Sequence, residues 1–208
     1  MGGCSDRAMM ENKLREYGLV NIKEIDSSIG VELKYSTTDN FTGGDMYGQL
    51  VDAYLLPEIA QMLASASAEL HRVHPGYNLL VYDAARPVSI QRYMFEFVRG
   101  TDKQKYVADP SVGGYHNYGL AVDLTITDEH GQPLDMGSPF DCFEAIANVG
   151  NEDYFVENGL MTPEARDNRL LLKTIMEQAG FDQNPDEWWH FQKYSLEQMK
   201  SRFRLLDF

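Results

Sequence analysis

Residues 113–136 read GGYHNYGLAVDLTITDEHGQPLDM. The opening GGYHNYG is turn-prone, with glycine at 113, 114 and 119. LAVDLTIT then alternates well enough to predict a strand over 120–127. Residues 128–131 (DEHG) predict a hairpin turn and 132–136 its returning strand. A hairpin makes its sheet at least partly antiparallel. Working outward, Leu56, Ile59, Ala60, Leu63, Leu70 and Val73 line one face of a helix over 57–73, which His74-Pro75-Gly76 stops. Further helices are expected over 89–98, over 163–179 and over 196–202. The middle one has Thr162 as cap, Pro163 in its first turn and Gly180 past its end. Strands are expected over 19–25, 29–35, 79–82 and 187–192, with a loop over 36–48. Helices and strands mix without a βαβ rhythm. The reading is α+β: one domain, a small partly antiparallel sheet with flanking helices. Residues 1–18 read as tail and lead-in, and 19–208 as the domain.

The 208 residues carry 18 Lys and Arg against 32 Asp and Glu, a net charge of −14. That balance argues against a broad basic face for nucleic acid or an anionic membrane. A chain this long buries roughly 70% of its unfolded surface and needs no staples. Its two cysteines, Cys4 and Cys142, make neither a disulfide framework nor a cysteine zinc site. No run approaches the ~18–20 apolar residues of a membrane helix, and no intact secretory leader is expected. Asp6 fails the myristoylation pattern. Gly3-Cys4-Ser5 resembles the end of a lipoprotein signal, so a lipid anchor at Cys4 is one reading and an exposed cysteine in a floppy tail is the other. Nothing in the sequence fixes an oligomeric state.

Five histidines are candidates for chemistry. His71 and His74 sit at a helix end, where imidazole suits the dipole. His130 falls in the hairpin turn and reads as solvated. His116 stands among glycines, and Asp123 follows it inside an apolar strand, where an unpaired carboxylate is costly to bury. An odd separation of seven would send the two side chains to opposite faces of one straight strand, so the chain must bend, and Gly119 permits it. Glu187-Trp188-Trp189-His190 sets an acid and an imidazole three apart across two large aromatics. His116, Asp123 and His190 together supply two nitrogens and an oxygen, the donor set of a catalytic zinc site with one position open. Glu187 can then serve as the base that is not a ligand.

The segment GYHNYGLAVD resembles the zinc motif Ser-x-His-x-x-Gly-x-Ala-x-Asp of the D-alanyl-D-alanine dipeptidase family, and Glu187-Trp188-Trp189-His190 is similar to its Glu-x-x-His motif. Tyr35, the loop Asp39-Asn40-Phe41-Thr42-Gly43, the strand end Tyr82-Asp83-Ala84-Ala85-Arg86-Pro87, the segment from Met136 to Asp141 and the pair Asn168-Arg169 also fit, in order. The resemblance implies a D,D-peptidase/Hedgehog-like zinc peptidase fold with one Zn2+ per chain on His116, Asp123 and His190. It implies Glu187 as general base and proton shuttle, and Arg86 as the cation facing the tetrahedral intermediate. A strand-end pair with Asp83 is the structural alternative for Arg86. Asp141 is implied to hold the substrate ammonium, with Tyr35 and Tyr47 lining the same pocket.

The implied activity is hydrolysis of D-Ala-D-Ala to free D-amino acids. The alternatives are a D,D-carboxypeptidase trimming longer stem peptides and a non-catalytic zinc- or peptide-binding module. One departure stands out: Gly114 occupies the motif's serine position and Tyr115 precedes the histidine. A backbone N–H from Gly114 and the Tyr115 hydroxyl are then expected to meet the substrate carboxylate, with somewhat broader acceptance of D,D-dipeptides. Removing the dipeptide would either protect a bacterium against glycopeptide antibiotics such as vancomycin, from the cytoplasm, or recycle cell-wall peptidoglycan at the envelope. A Cys4 anchor favours the periplasm or cell envelope.

Overall fold

The computed structural model describes residues 3–208. Its strands are β1 (Val20–Asn21), β2 (Gly30–Val31), β3 (Tyr54–Leu55), β4 (Asn78–Asp83), β5 (Ala121–Thr127), β6 (Asp182–Gln183) and β7 (His190–Gln192). Its helices are α1 (Gly3–Glu16), α2 (Ile22–Ile25), α3 (Pro57–Val73), α4 (Val88–Val98), α5 (Glu152–Glu157), α6 (Pro163–Gln178) and α7 (Leu196–Arg202). Five strands form one sheet in the order β2-β4-β5-β7-β6, and β1 pairs with β3 apart from it. Within the sheet β2 runs parallel to β4, and every other pairing is antiparallel. The α+β reading holds.

β5 is the spine. All seven of its residues are buried, and Val122, Leu124 and Ile126 are shut off from solvent. Each such side chain contributes roughly 1.5–3 kcal/mol of burial. α3 lays Ile59, Ala60, Leu63, Ala66, Ser67 and Leu70 on the core at helical spacing. Val73, expected on that face, is exposed. α6 begins as its sequence requires: the Thr162 hydroxyl accepts from the Ala165 N–H at 3.0 Å, with Pro163 in the first turn.

Several expectations give way. Residues 3–16, read as tail, form α1, and Leu14 sits fully in the core. The Cys4 side chain lies outside the described residues. The expected strand over 19–25 is a two-residue strand followed by α2, because Asn21 caps that turn by accepting from the Lys23 N–H. The strand over 29–35 shrinks to β2. The return of the 128–131 turn is a single bridge, Thr127 to Pro133. Proline has no N–H to extend the ladder. Residues 187–189 precede β7 rather than belonging to it.

The register of the central strands sets up the site. Asp83 of β4 pairs with Asp123 of β5, and Asp123 pairs with His190 of β7. Cross-strand partners share a face, so three chemically active side chains stand in a row over the sheet.

Candidate active site

His116 reaches that row from a short 3-10 turn, Tyr115–Tyr118, which Gly119 ends at φ +69°. A Cβ on Gly119 would stand 2.8 Å from Leu19 Cδ2, so both the backbone angle and the space demand glycine. The bend required by the sequence is therefore present, and it turns His116 back over Asp123.

Three donor atoms then converge. His116 Nε2 lies 3.2 Å from His190 Nδ1 and 3.3 Å from Asp123 Oδ1, and His190 Nδ1 lies 3.0 Å from Asp123 Oδ1. All three residues are buried. Each outer ring nitrogen is held by an acceptor: His116 Nδ1 donates to the Ala84 carbonyl at 2.7 Å, and His190 Nε2 donates to Gln192 Oε1 at 2.9 Å, which leaves the inner nitrogens as the ones free to bind a metal. Two inner nitrogens this close to one carboxylate oxygen call for positive charge at their centre, which a proton on His190 supplies in the free protein and a metal ion would supply in its place. Three donors on a tetrahedral ion at about 2.0–2.1 Å stand roughly 3.3 Å apart, which this triangle matches. The residues fit a metal ion. The electrostatics agree: burial alone would raise Asp123, but His116 and His190 hold it below the ordinary carboxylate range. Burial would lower His190, yet Asp123 lifts it to about 9.

The triangle opens on a cavity of about 310 Å³, at the low end for small-molecule sites. Glu187 lines it, half-buried, with Oε2 accepting from Asn184 Nδ2 at 2.9 Å and lying 3.8 Å from His190 Nδ1. Burial pushes the Glu187 carboxyl above its usual range, the direction a general base needs.

Arg86 lines the same cavity and realises its structural alternative as well. Its Nε and Nη2 donate to Asp83 Oδ2 at 3.0 and 2.6 Å, and its Nη1 donates to Gln91 Oε1 at 2.9 Å. Asp83 has no solvent exposure and takes a further bond from the Tyr47 hydroxyl at 2.7 Å. Burial disfavours the guanidinium charge, and Asp83 more than restores it. Tyr47, expected in the pocket lining, is absent from it and instead braces Asp83 from behind.

Asp141 lies on the cavity wall at φ +60°, with Tyr35 donating to Oδ1 at 2.9 Å and the Phe41 N–H donating to Oδ2 at 3.3 Å. Burial, only partly offset by the Tyr35 hydrogen bond, pushes its carboxyl up to about 7. Its loop is anchored by Arg169, which donates to the carbonyls of Met136, Asn148 and Ile146 and to the Ser138 hydroxyl. Gly114 and Tyr115 also line the cavity, but the Gly114 N–H is committed to Asn117 Oδ1 at 2.8 Å. The expected use of that N–H for a substrate carboxylate is thereby corrected.

Sequence reasoning passed over Gln192, Gln91 and Asn117. Gln192 follows His190 by two on one strand, and period two alone places it on the same face. Asn117 also donates from Nδ2 to the Arg86 carbonyl at 2.8 Å, joining the His116 turn to the Arg86 segment. No periodicity marks that role. His71 meets Asn78 at 3.0 Å and His74 stacks on Tyr77, so neither approaches the cluster.

Comparison with known proteins bears on this cavity. The family model described as Peptidase_M15, D-ala-D-ala dipeptidase, matches residues 15–204. The D-alanyl-D-alanine dipeptidase of Escherichia coli (strain K12) is 35% identical, the alignment covering 84% of this chain and 83% of that protein. The one from Enterococcus faecalis is 31% identical, over 85% of this chain and 91% of its own. The one from Streptomyces coelicolor is 31% identical, over 82% and 88%. A solved structure of the LD-carboxypeptidase LdcB is similar at 21% identity and a TM-score of 0.39, covering 71% of this chain and 62% of that one.

Proposed function

The chain belongs to the D-ala-D-ala dipeptidase family, and from that premise we propose that it is a zinc-dependent dipeptidase that hydrolyses D-alanyl-D-alanine to two molecules of D-alanine. The observation that carries this reading is the convergence of His116 Nε2, His190 Nδ1 and Asp123 Oδ1 within 3.3 Å of one another, beside Glu187 and Arg86 in one small cavity.

Zinc held by His116, Asp123 and His190 supplies Lewis acidity and a water of pKa near ~7. Gln192 and the Ala84 carbonyl keep the two imidazoles oriented with their lone pairs inward. Glu187 accepts the proton of the attacking water at a carboxylate oxygen while the remaining hydroxyl bonds to the peptide carbonyl carbon. Glu187 then delivers the proton to the departing nitrogen, so the C–N bond breaks with H and OH added across it. Asn184 steers Glu187 by its hydrogen bond to Oε2. Arg86 keeps N–H groups beyond those given to Asp83 and Gln91, and these face the negative charge that grows on the carbonyl oxygen. Asp141 takes the substrate ammonium, which replaces the counter-charge its buried carboxyl lacks.

The test is D-alanine release from D-Ala-D-Ala by the wild-type protein and by Glu187→Gln. The wild type is expected to turn over, and the variant to lose about 10²–10⁴ in kcat while keeping its metal. Turnover by Glu187→Gln at the wild-type rate would remove Glu187 from the chemistry.

A further inference from the structure

A second cavity of about 690 Å³ adjoins the catalytic one, and Phe41 and Asp141 line both. Its size is ordinary for a small-molecule site, and the proposed hydrolysis makes no use of it. Thr125 lines it, two residues along β5 from Asp123 and on the same face. That residue is 1% exposed, and its hydroxyl has no partner among the described residues. Buried polar groups are nearly always paired, and valine would suit the same strand position without the hydroxyl. Ser138 also lines the cavity. Its oxygen accepts from Trp188 Nε1 at 3.0 Å and from Arg169 Nη2 at 3.2 Å, while its own proton goes to no described residue. The rings of Tyr82, Phe140 and Trp188 complete the apolar part of the wall.

Charge narrows the ligand. Lys34 is the one cation among the described lining residues, and its Nζ already donates to Glu32 Oε1 at 2.7 Å and to Asp39 Oδ2 at 2.8 Å. Asp39, Asp135 and Asp141 line the cavity with it, so an anion gains nothing there. A cation is no better served. The Lys34 ammonium itself lies 4.9 Å from the Tyr82 ring and repels a second positive charge. Asp39 and Asp135 are exposed, where solvent weakens their pull. A wholly apolar molecule leaves the Thr125 hydroxyl unpaired. What remains is an uncharged molecule with an apolar face and hydroxyl or amide groups at its edge.

We propose that this cavity is a second binding site, separate from the catalytic one, and that it takes a neutral sugar ring. The apolar face of the ring lies against Tyr82, Phe140 and Trp188, and its hydroxyls pair with Thr125 and Ser138. The site stands whether or not the neighbouring cavity hydrolyses a dipeptide.

The experiment titrates the full chain with one ring in three charge states: N-acetylglucosamine (neutral), glucosamine at slightly acidic pH (cationic) and glucuronate (anionic). Calorimetry gives the affinities, and contacts between ring protons and protein protons in NMR spectra give the place. N-acetylglucosamine is expected to bind with a Kd of about 1 mM or tighter, and each charged form at least about tenfold more weakly. Its ring protons are expected to meet Tyr82 and Phe140. Thr125→Val keeps the side-chain shape and is expected to weaken binding about three- to tenfold without lowering Tm. The contacts to Tyr82 and Phe140 decide the matter even if that variant does not fold. No binding of N-acetylglucosamine at these concentrations would overturn the proposal. So would preference for a charged form, contacts to Tyr106 and Tyr115 of the catalytic cavity instead, or a folded Thr125→Val that binds as the wild type does.

Discussion

Asp141 sits at φ +60° with its carboxyl between the Tyr35 hydroxyl and the Phe41 N–H. Burial raises its pKa to about 7, with Asp123 adding to the shift while Tyr35, Phe41 and Arg86 oppose it. An unfolded aspartate titrates near ~3.9. Between those values the folded protein holds a proton that the unfolded chain has lost, so this group's contribution to stability falls as pH rises through the window. Asp141→Asn removes the titration, and asparagine tolerates a positive φ. Urea midpoints without dipeptide are expected to favour the variant more at pH 8 than at pH 5; an equal gap at both would contradict the burial argument. The grouping of His116, Asp123 and His190 beside Glu187 was legible at this scale because these residue types are scarce and costly to bury idle. Tyr47 was misplaced because sequence order does not say which side of Asp83 a tyrosine approaches.

Among the elements, helices were legible nearly to the residue where caps mark them. Thr162-Pro163 opens α6, and His74 ends α3. Strands were not, since β1, β2, β3 and β6 are two residues each and leave no room for alternation. Residues 187–189 looked extended, but the His190 N–H turns back to the Glu187 carbonyl at 3.2 Å. That turn, rather than a strand, brings Glu187 over the cavity. The loop carrying Asp141 depends on α6 in a way that no local pattern reveals. Arg169, almost wholly buried, bonds both ends of it, at Met136 and Ser138 and at Ile146 and Asn148. Ser138 also accepts from Trp188 Nε1 at 3.0 Å, which ties the loop to the segment of Glu187. Arg169→Leu strands three carbonyls and is expected to lower stability by at least about 3 kcal/mol, and to raise KM for D-Ala-D-Ala more than it lowers kcat. Urea unfolding and steady-state kinetics check both; an unchanged KM would show that the loop holds Asp141 without Arg169.

At the scale of the molecule, the ligand triangle joins the turn before β5, β5 itself and the start of β7, positions 74 residues apart at the extremes. A metal held there cross-links the middle of the sheet. An ion that binds only the folded chain adds about 2.7 kcal/mol at a hundredfold excess over Kd. At about 2–4 °C per kcal/mol for a chain of this size, zinc is expected to raise Tm by about 5–10 °C over chelated protein. Equal Tm values by scanning calorimetry would mean that the triangle holds no ion. The net charge of −14 belongs to this scale too. A net negative charge of that size would favour the approach of an ammonium over that of a polyanion.

The account turns on one claim, that His116, Asp123 and His190 hold the zinc on which hydrolysis depends. Chelator-stripped protein titrated with zinc, with D-alanine release followed at each addition, tests it most directly. Activity should start near zero, rise in proportion and level off at one zinc per chain, while Asp123→Ala stays inactive at that stoichiometry. Full activity in the stripped protein, or full activity of Asp123→Ala at one zinc per chain, would contradict it.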